Sequence, residues 1–218
     1  MSNLTENRKQ YLQKVQRDSA RIWEKKNRRI DPVINGIEHS IILFAGREVR
    51  DKVFEGKTAK EVKNQYGADD PIGGKAKWLK LAMERLVALV GEEASYQIME
   101  YCGAMCAQAL ARKDIEETNE RIKKHKTTDE FLEAEGFKEG TLYVTYKPCE
   151  VTKTRCFCLG NGLPAEETMS PTYCHCAVGH NQYLWDVHGL PVKVELLHSA
   201  LCGSNECKFR FRRINEKP

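Results

Sequence analysis

Apolar residues recur every three or four positions through most of residues 1–136, which is the spacing of helices with one buried face. The first stripe crosses an otherwise polar segment from about Thr5 to Arg29 and consists of Leu12, Val15, Ile22 and Trp23. Further stripes predict a second helix up to about Val53, a third ending at Gly91 and a fourth after it. The N-terminal portion is therefore predicted to be helical.

Capping signals set the expected ends of these helices. Asp31 and Pro32 separate the first helix from the second, because the residue before a proline avoids helical angles and proline suits a first helical turn. The segments 58–61 and 127–130 have the form of a capping box, so each opens a short helix. The charged segment 114–126 between them is expected to face solvent.

The pattern changes after Gly136. Residues 141–146 alternate and are β-branched or aromatic, as in a strand, and residues 151–158 are expected to pair with them. Strands are also predicted over 192–201 and 207–214, joined by a Gly/Asn turn, with a helix over about 175–188. The prediction is an α+β protein in which a helical portion, residues 1–136, packs on a small antiparallel sheet with an inserted helix, residues 137–218, in one integrated unit.

Composition narrows the class of protein. The chain has 218 residues and is 41% hydrophobic, which is enough for a full core. It has nine cysteines, but its first residues have no apolar signal core, so we expect a reducing, cytoplasmic location and not a secreted disulfide scaffold. No apolar run approaches the roughly 18 residues of a membrane helix, and no membrane association is expected.

Charge gives little reason to expect a nucleic-acid partner. The chain carries 35 basic and 31 acidic residues, so its net charge is only +4. The basic cluster at residues 121–126 is short and has no interleaved aromatic residue, which is typical of the solvated end of a helix. We therefore expect no nucleic-acid partner.

Two Cys-x-Cys pairs are the strongest chemical signal in the sequence. Cys156 and Cys158 form the first pair, and Cys174 and Cys176 form the second. In an extended segment residues i and i+2 point the same way, so each pair could offer two sulfurs to one ion. Four thiolates suit zinc or, alternatively, an iron–sulfur cluster. A redox or catalytic thiol and simple packing of small apolar side chains remain open, because the spacing is not the common Cys-x₂-Cys.

Other residues are candidates for the same site. Cys202 and Cys207 are possible further ligands, and His180 is the preferred non-sulfur ligand because it would share a helical face with Cys176. His175, by contrast, is expected to point away from the shared centre. Cys102 and Cys106 are interpreted as core residues. An adjacent ligand pocket is predicted from Arg155, Tyr173, Tyr183 and Trp185.

The C-terminal part resembles a known family. Cys176 followed by a helix, then the run Gly189–Glu195 and the run Cys202–Phe209, is similar to the 4-vinyl reductase domain and to L-2-amino-thiazoline-4-carboxylic acid hydrolase-like proteins, over about residues 137–218. The resemblance implies helices packed on an antiparallel sheet, related to small-molecule-sensing domains and to subunits of vesicle-tethering complexes. It also implies small ligands and candidate metal-ligating cysteines. Cys176, Gly203 and Cys207 match the family motif, whereas Cys202 stands where the family more often has a polar residue.

Three functions follow as hypotheses. The first is a cytoplasmic protein that binds zinc through cysteines and binds or senses a small molecule. We expect it to be a homodimer, in which the first helical stripe is covered by a second copy and not by the chain itself. The second is a hydrolase of a cyclic amide or thiazoline, using a metal-activated water or a cysteine nucleophile. Its candidate nucleophiles, bases and orienting carboxylates are Cys158, Cys176 and Cys207; His175, His180, His188 and His198; and Asp186 and Glu195. The third is a purely structural subunit.

Overall fold

The computed structural model describes residues 6–23, 31–69, 74–146 and 167–214. The helices of this part are α1 (Glu6–Ile22), α2 (Pro32–Val53), α3 (Ala59–Asp69), α4 (Gly74–Val90), α5 (Glu92–Leu110), α6 (Arg112–Ile122), α7 (Thr128–Ala134) and α8 (Pro171–Val187). The strands are β1 (Thr141–Tyr146), β2 (Val192–His198) and β3 (Cys207–Arg213), and a 3₁₀ turn (Ala200–Cys202) lies between β2 and β3. The predicted α+β class is confirmed.

The helix starts follow the capping residues. Asp31 Oδ1 accepts hydrogen bonds from the N–H groups of Val33, at 2.9 Å, and Ile34, at 3.3 Å, and Pro32 occupies the first turn of α2. In the predicted capping box before α3, Glu61 Oε2 accepts the Thr58 N–H at 2.7 Å. These side chains satisfy N–H groups that have no partner within the helix, so the predicted starts are confirmed.

Helices α5 and α8 form the centre of the molecule and pack along each other more extensively than any other helix pair described. α8 contributes to three separate hydrophobic clusters, through Tyr173 and Cys176 to one, Val178 to a second and Tyr183 to a third. It is thus buried on several sides. A helix from the C-terminal portion therefore lies inside the N-terminal helices.

The sheet is antiparallel, with strand order β1-β3-β2. One face packs on α7 and α8 and buries Val192, Val194, Phe209 and Phe211. The opposite face presents exposed side chains, among them Tyr143, Thr145, Lys193 and Arg212. The predicted strand over 192–201 is too long, because β2 ends at His198, after a bulge that follows Leu196, and the chain enters the 3₁₀ turn at Ala200. The strand predicted over 151–158 lies outside the described residues.

Helix α1 packs on the chain's own helices. Of its predicted stripe, Leu12, Val15 and Ile22 are buried in a cluster with Tyr101 and Met105 of α5, and Trp23 packs against this cluster partly buried. The stripe is thus covered within one chain.

A polar network fastens α1 at the same place. Asp18 of α1 is 9% exposed and accepts a hydrogen bond from Tyr101 Oη at 2.7 Å. His39 Nε2 of α2 lies 3.2 Å from the same carboxylate. Burial acts to raise the pKa of Asp18, but the hydrogen bond from Tyr101 and the nearby His39 imidazole outweigh this effect, so the pKa is lowered. The Asp18 carboxylate therefore ties α1 to both α2 and α5.

The described helices can be compared with those that span membranes. None of them combines the length and the apolar character that a membrane crossing requires.

Candidate functional site

Cys174 and Cys176 do not form an extended pair. Both lie in the first half of α8, which begins at Pro171, four residues before the predicted start, with Ser170 as its N-cap. Residues two apart on an α-helix point about 200° apart, since each residue turns the helix by about 100°. Cys176 is 5% exposed and packs in the helical core, whereas Cys174 is half-buried toward the 3₁₀ turn. The expectation that this pair offers both sulfurs to one point is therefore wrong.

Three thiols converge around Ser199 instead. Cys174 Sγ of α8 and Ser199 Oγ share a hydrogen bond of 2.9 Å. Cys202 is the last residue of the 3₁₀ turn, and it hydrogen-bonds with both Cys174 and Ser199. Cys207 Sγ, at the start of β3, accepts the N–H of Ala200 at 3.3 Å. A helix, a turn and a strand thus each supply one sulfur to what we call the thiol cluster, Cys174, Cys202 and Cys207.

A histidine–glutamate pair flanks the thiol cluster. His175 Nδ1 lies 2.8 Å from Glu100 Oε1 of α5, and the imidazole stacks on Tyr96 with ring centroids 3.8 Å apart and 4° between the planes. The prediction that His175 points away from the cysteines assumed an extended backbone. On the helix it is close enough to Cys202 to favour the thiolate form electrostatically.

The contact between α5 and α8 positions this pair. Gly103 of α5 and Gly179 of α8 let the two backbones touch: a Cβ at Gly103 would lie 1.8 Å from the Cys176 carbonyl oxygen, and one at Gly179 would lie 1.8 Å from the Glu100 carbonyl oxygen. Glu100 and His175 each precede one of these glycines by about one helical turn. Close packing of the helices therefore brings Glu100 and His175 together.

The cysteines of the cluster differ in acidity. The hydrogen bond with Cys174 lowers the pKa of the Cys202 thiol to about 6, against the opposing effect of burial and with further help from Ser199 and His175. Burial raises the pKa of Cys207, and the nearby Cys202 thiolate raises it further. At neutral pH the cluster therefore holds a thiolate at Cys202 beside a thiol at Cys207.

The other three histidines of the C-terminal portion have partners outside the thiol cluster. His180 of α8 is half-buried, which lowers its pKa, and its nearest charged influence is Asp114 of α6. Burial lowers the pKa of His188 to about 4, and its Nδ1 lies 3.0 Å from Asn119 Oδ1. His198 is paired at the surface with Glu206. The contacts described for His180, His188 and His198 are thus with three different acidic or amide side chains outside the thiol cluster.

The candidate pocket aromatics are also separated. Tyr173 packs in the helical core and Tyr183 in the cluster beside α1, while Trp185 packs on Phe137 and Phe211 under the sheet. The structure thus places them in three different hydrophobic clusters and does not gather them around one ligand. A cavity of about 760 Å³ lies elsewhere, along α6 and the residues just after it, and its lining is Glu116, Glu117, Asn119, Glu120, Arg121, Lys123 and Lys124.

The cluster has the donor type for zinc but not a complete ligand set. Within residues 6–23, 31–69, 74–146 and 167–214, no three His, Cys, Asp or Glu side chains are arranged to hold a metal ion. A structural zinc site needs four ligands, preferably thiolates and imidazoles. Arg155, Cys156 and Cys158, the remaining predicted site residues, lie outside the described residues.

Three residues of this region were not predicted from the sequence: Tyr96, Glu100 and Ser199. Glu100 and His175 are separated by 75 positions, so no local motif links them. Ser199 was assigned to a strand interior, where nothing marks it as a partner for cysteines. Only its proximity to Cys202, three residues later, offered a signal.

Comparison with known proteins identifies a family. Residues 33–217 match the model of a family of unknown function, DUF6144. The comparisons with curated proteins and with solved structures find no match.

Proposed function

The chain belongs to the family of unknown function DUF6144, and from the thiol cluster we propose that it is a cysteine-ligated metal-binding protein, with zinc as the metal, that binds or senses a small molecule. The observation that carries the proposal is the convergence of Cys174, Cys202 and Cys207 around Ser199. Zinc binds cysteine as the thiolate, and cysteines contributed by separate elements are common ligands of structural zinc.

Cys156 and Cys158 remain proposed ligands in addition to the cluster. The described residues on either side of their segment are anchored next to it, since Tyr146 pairs with Cys207 in the sheet and the N–H of Met169 donates to the Leu201 carbonyl at 2.8 Å. Cys176 is no longer a proposed ligand, because it faces the core. His180 is set aside as well, since it lies on the α6 side of α8.

The proposal that the protein binds a small molecule has less support than the proposal that it binds a metal. It is supported by the resemblance to the 4-vinyl reductase domain, whose members are thought to bind small ligands. The space between the sheet and α8 is filled by Val178, Phe209, Phe211 and their neighbours, so we place the ligand at the thiol cluster and not under the sheet. The stacked pair of Tyr96 and His175 offers an aromatic surface there.

A second candidate function is thiol catalysis, the hydrolase alternative in modified form. The observation that favours it is the neighbourhood of Cys202, His175 and Glu100, which resembles the order of nucleophile, base and orienting carboxylate in cysteine enzymes. The nucleophile in this version is Cys202, which the sequence analysis did not consider for that role. The substrate class stays that of a cyclic amide or thiazoline.

The metal content of anaerobically purified protein tests the proposal. Elemental analysis is expected to find about one zinc per chain, and an absorption spectrum separates zinc from an iron–sulfur cluster, which is coloured. Cys174→Ser and Cys202→Ser are expected to lower the zinc content, whereas Cys176→Ser and Cys102→Ser, at core positions, serve as matched controls and keep it. Full zinc binding in both cluster variants would overturn the proposal.

The absence of metal from the wild-type protein, together with no uptake of added zinc, would contradict metal binding and favour thiol catalysis. Hydrolysis of cyclic amides or thiazolines, measured in the same preparations and abolished by Cys202→Ser, is the positive result for the second candidate. Loss of activity without a change in metal content would separate the two functions.

Assembly and location complete the proposal. A homodimer remains proposed, but α1 is covered by α5 of the same chain and no longer gives a reason for it, so a second copy would use another surface. The proposal places the protein in the cytoplasm, where thiols stay reduced. Light scattering at micromolar concentration measures the assembly state directly.

A further inference from the structure

The outward face of the sheet concentrates positive charge that the whole-chain balance conceals. On β3, Lys208, Arg210 and Arg212 alternate with the buried Phe209 and Phe211. Because side chains alternate along a strand, all three basic residues share the outward face. Lys193 of β2 is paired across from Arg212 and extends the basic surface.

Acidic side chains neutralise only part of this surface. Glu195 of β2 lies beside Arg210, with Oε2 2.6 Å from Nε, and its other oxygen is 4.0 Å from Arg212. The outward side chains of the three strands thus hold one carboxylate against four cations. A chain with a net charge of +4 therefore has a local patch with an excess of about three positive charges.

An exposed aromatic ring lies next to these cations. Tyr143 of β1 is 55% exposed and is paired across from Arg210. Lys208 Nζ lies 5.6 Å from the centre of its ring. Thr141 and Thr145 flank Tyr143 on the same face. The patch therefore combines an accessible π-surface, cations on the neighbouring strand and hydroxyl groups.

From this surface we propose that the outward sheet face, Tyr143, Lys193, Lys208, Arg210 and Arg212, binds single-stranded nucleic acid. Open sheet faces bind single strands by stacking bases on aromatic side chains, while lysine and arginine neutralise the phosphates. An acidic peptide would need the cations but not the exposed ring, so the position of Tyr143 favours a nucleic acid. The helices described on the sheet, α7 and α8, lie on its other face.

This inference is independent of the proposed metal site and departs from the expectation of no nucleic-acid partner. That expectation used the charge of the whole chain and the cluster at 121–126, which lies at the end of α6. The alternation along β3 instead places three cations on one side of one strand. A sequence average does not record that arrangement.

Fluorescence anisotropy with labelled single-stranded 20-mers, one of uridine and one of thymidine, tests the proposal on the full chain. Saturable binding of either oligonucleotide is expected at low salt, with an affinity that falls as salt rises. Tyr143→Leu is expected to weaken binding by roughly fivefold to a hundredfold, the effect of losing one stacked base. Failure of both oligonucleotides to bind would overturn the proposal.

Two charge variants locate the binding surface. Lys208→Gln/Arg212→Gln removes two outward cations and is expected to weaken binding and to reduce the slope of log affinity against log salt by about 1.4, at about 0.7 for each lost phosphate contact. Lys123→Gln/Lys124→Gln removes the same charge from the end of α6 and is expected to leave both quantities nearly unchanged. Equal losses in the two variants would mean non-specific charge attraction and would reject the sheet face.

Two further outcomes count against the proposal. Binding that is unaffected by Tyr143→Leu, together with equal affinity for a polyglutamate peptide, would identify an acidic-peptide surface instead. Protection of Lys193 and Lys208 from acetylation without any oligonucleotide would show that another part of the chain or a second copy covers the sheet face. Circular dichroism of each variant confirms that the affinities compare folded proteins.

Discussion

Gly103 of α5 and Gly179 of α8 lie at a crossing where the backbones of the two helices are in contact. A Cβ at either glycine would fall 1.8 Å from a main-chain oxygen of the opposite helix. Since backbone atoms cannot move aside as a flexible side chain can, neither position accepts even one methyl group. The same crossing holds Glu100 against His175 and so sets the geometry beside the thiol cluster.

Gly179→Ala is expected to destabilise the protein by about 3 kcal/mol, at the upper end of the range for overpacking, because the helices must move apart. Urea denaturation measures the loss. Gly36→Ala is the matched control, since its Cβ would meet the Cys102 sulfur at 3.0 Å. The strain of that contact in Gly36→Ala is offset by the roughly 1 kcal/mol by which alanine is more favourable than glycine within a helix. Similar stability of the Gly179→Ala variant and the wild type would show that the crossing is looser than described.

Cys202 is expected to be the fastest-reacting cysteine of the cluster near neutral pH. Its pKa of about 6, set first by the hydrogen bond with Cys174, makes it a thiolate at pH 7, and the thiolate is the nucleophilic form. Alkylation by iodoacetamide in metal-free protein, followed site by site by mass spectrometry, is expected to show a midpoint near pH 6 at Cys202. The midpoint for Cys207, whose pKa is raised by burial, lies at much higher pH.

Removal of the Cys174 thiol supplies the control for this profile. In Cys174→Ala the midpoint at Cys202 is expected to move toward the ordinary thiol range, because the principal stabiliser of the thiolate is lost. The lowered pKa also means that the folded state binds the Cys202 proton less tightly than the unfolded chain. Stability from this group is therefore fully present above the ordinary thiol pKa and declines as pH falls toward 6. An unchanged alkylation midpoint in Cys174→Ala would assign the acidity to another cause.

The hydrogen bond from Tyr101 to Asp18 is expected to stabilise the packing of α1. Tyr101→Phe leaves a buried carboxylate short of one donor, which should cost about 1–3 kcal/mol at pH 7. The pKa of Asp18 is lowered in the folded state, so its contribution is present above about pH 4 and is lost as pH falls through the folded-state pKa. Urea unfolding at pH 7 and pH 3 should therefore show a smaller difference between variant and wild type in acid.

Tyr143→Phe is the control for that comparison, because Tyr143 lies on the exposed sheet face and is expected to change stability little. A Tyr101→Phe effect of equal size at both pH values would mean that the hydroxyl acts through packing and not through the carboxylate.

The sequence predicted most of the helices because each needs only a local signal. The stripe of α1, the Asp31–Pro32 boundary and the Thr58 capping box all lie within a few residues of what they determine. The start of α8 also has such a signal, Ser170 followed by Pro171. It was not used, because the segment with Cys174 and Cys176 was interpreted as extended backbone. On a helix the side chains of Cys174 and Cys176 point in nearly opposite directions, and the N-cap signal was sufficient to predict this.

The arrangement of the site could not be predicted in the same way. Glu100 meets His175 only because two glycines, 76 positions apart, allow their helices to touch, and Ser199 meets Cys174 only after the 3₁₀ turn ends β2 early. These contacts depend on tertiary packing, for which one sequence gives no periodic pattern. All three cysteines of the thiol cluster were candidate ligands from the sequence, but their grouping around Ser199 and beside Glu100 comes from the fold.

The central position of α8 has a consequence during synthesis on the ribosome. Helix α5 is complete at residue 110, but the helix that covers its glycine-bearing face ends at residue 187. Until α8 has been made, the face of α5 around Gly103 lacks the helix that covers it in the folded protein. The packing of the N-terminal helices is therefore completed only after the C-terminal third of the chain has left the ribosome. Until then this face of α5 must be kept from contact with other proteins.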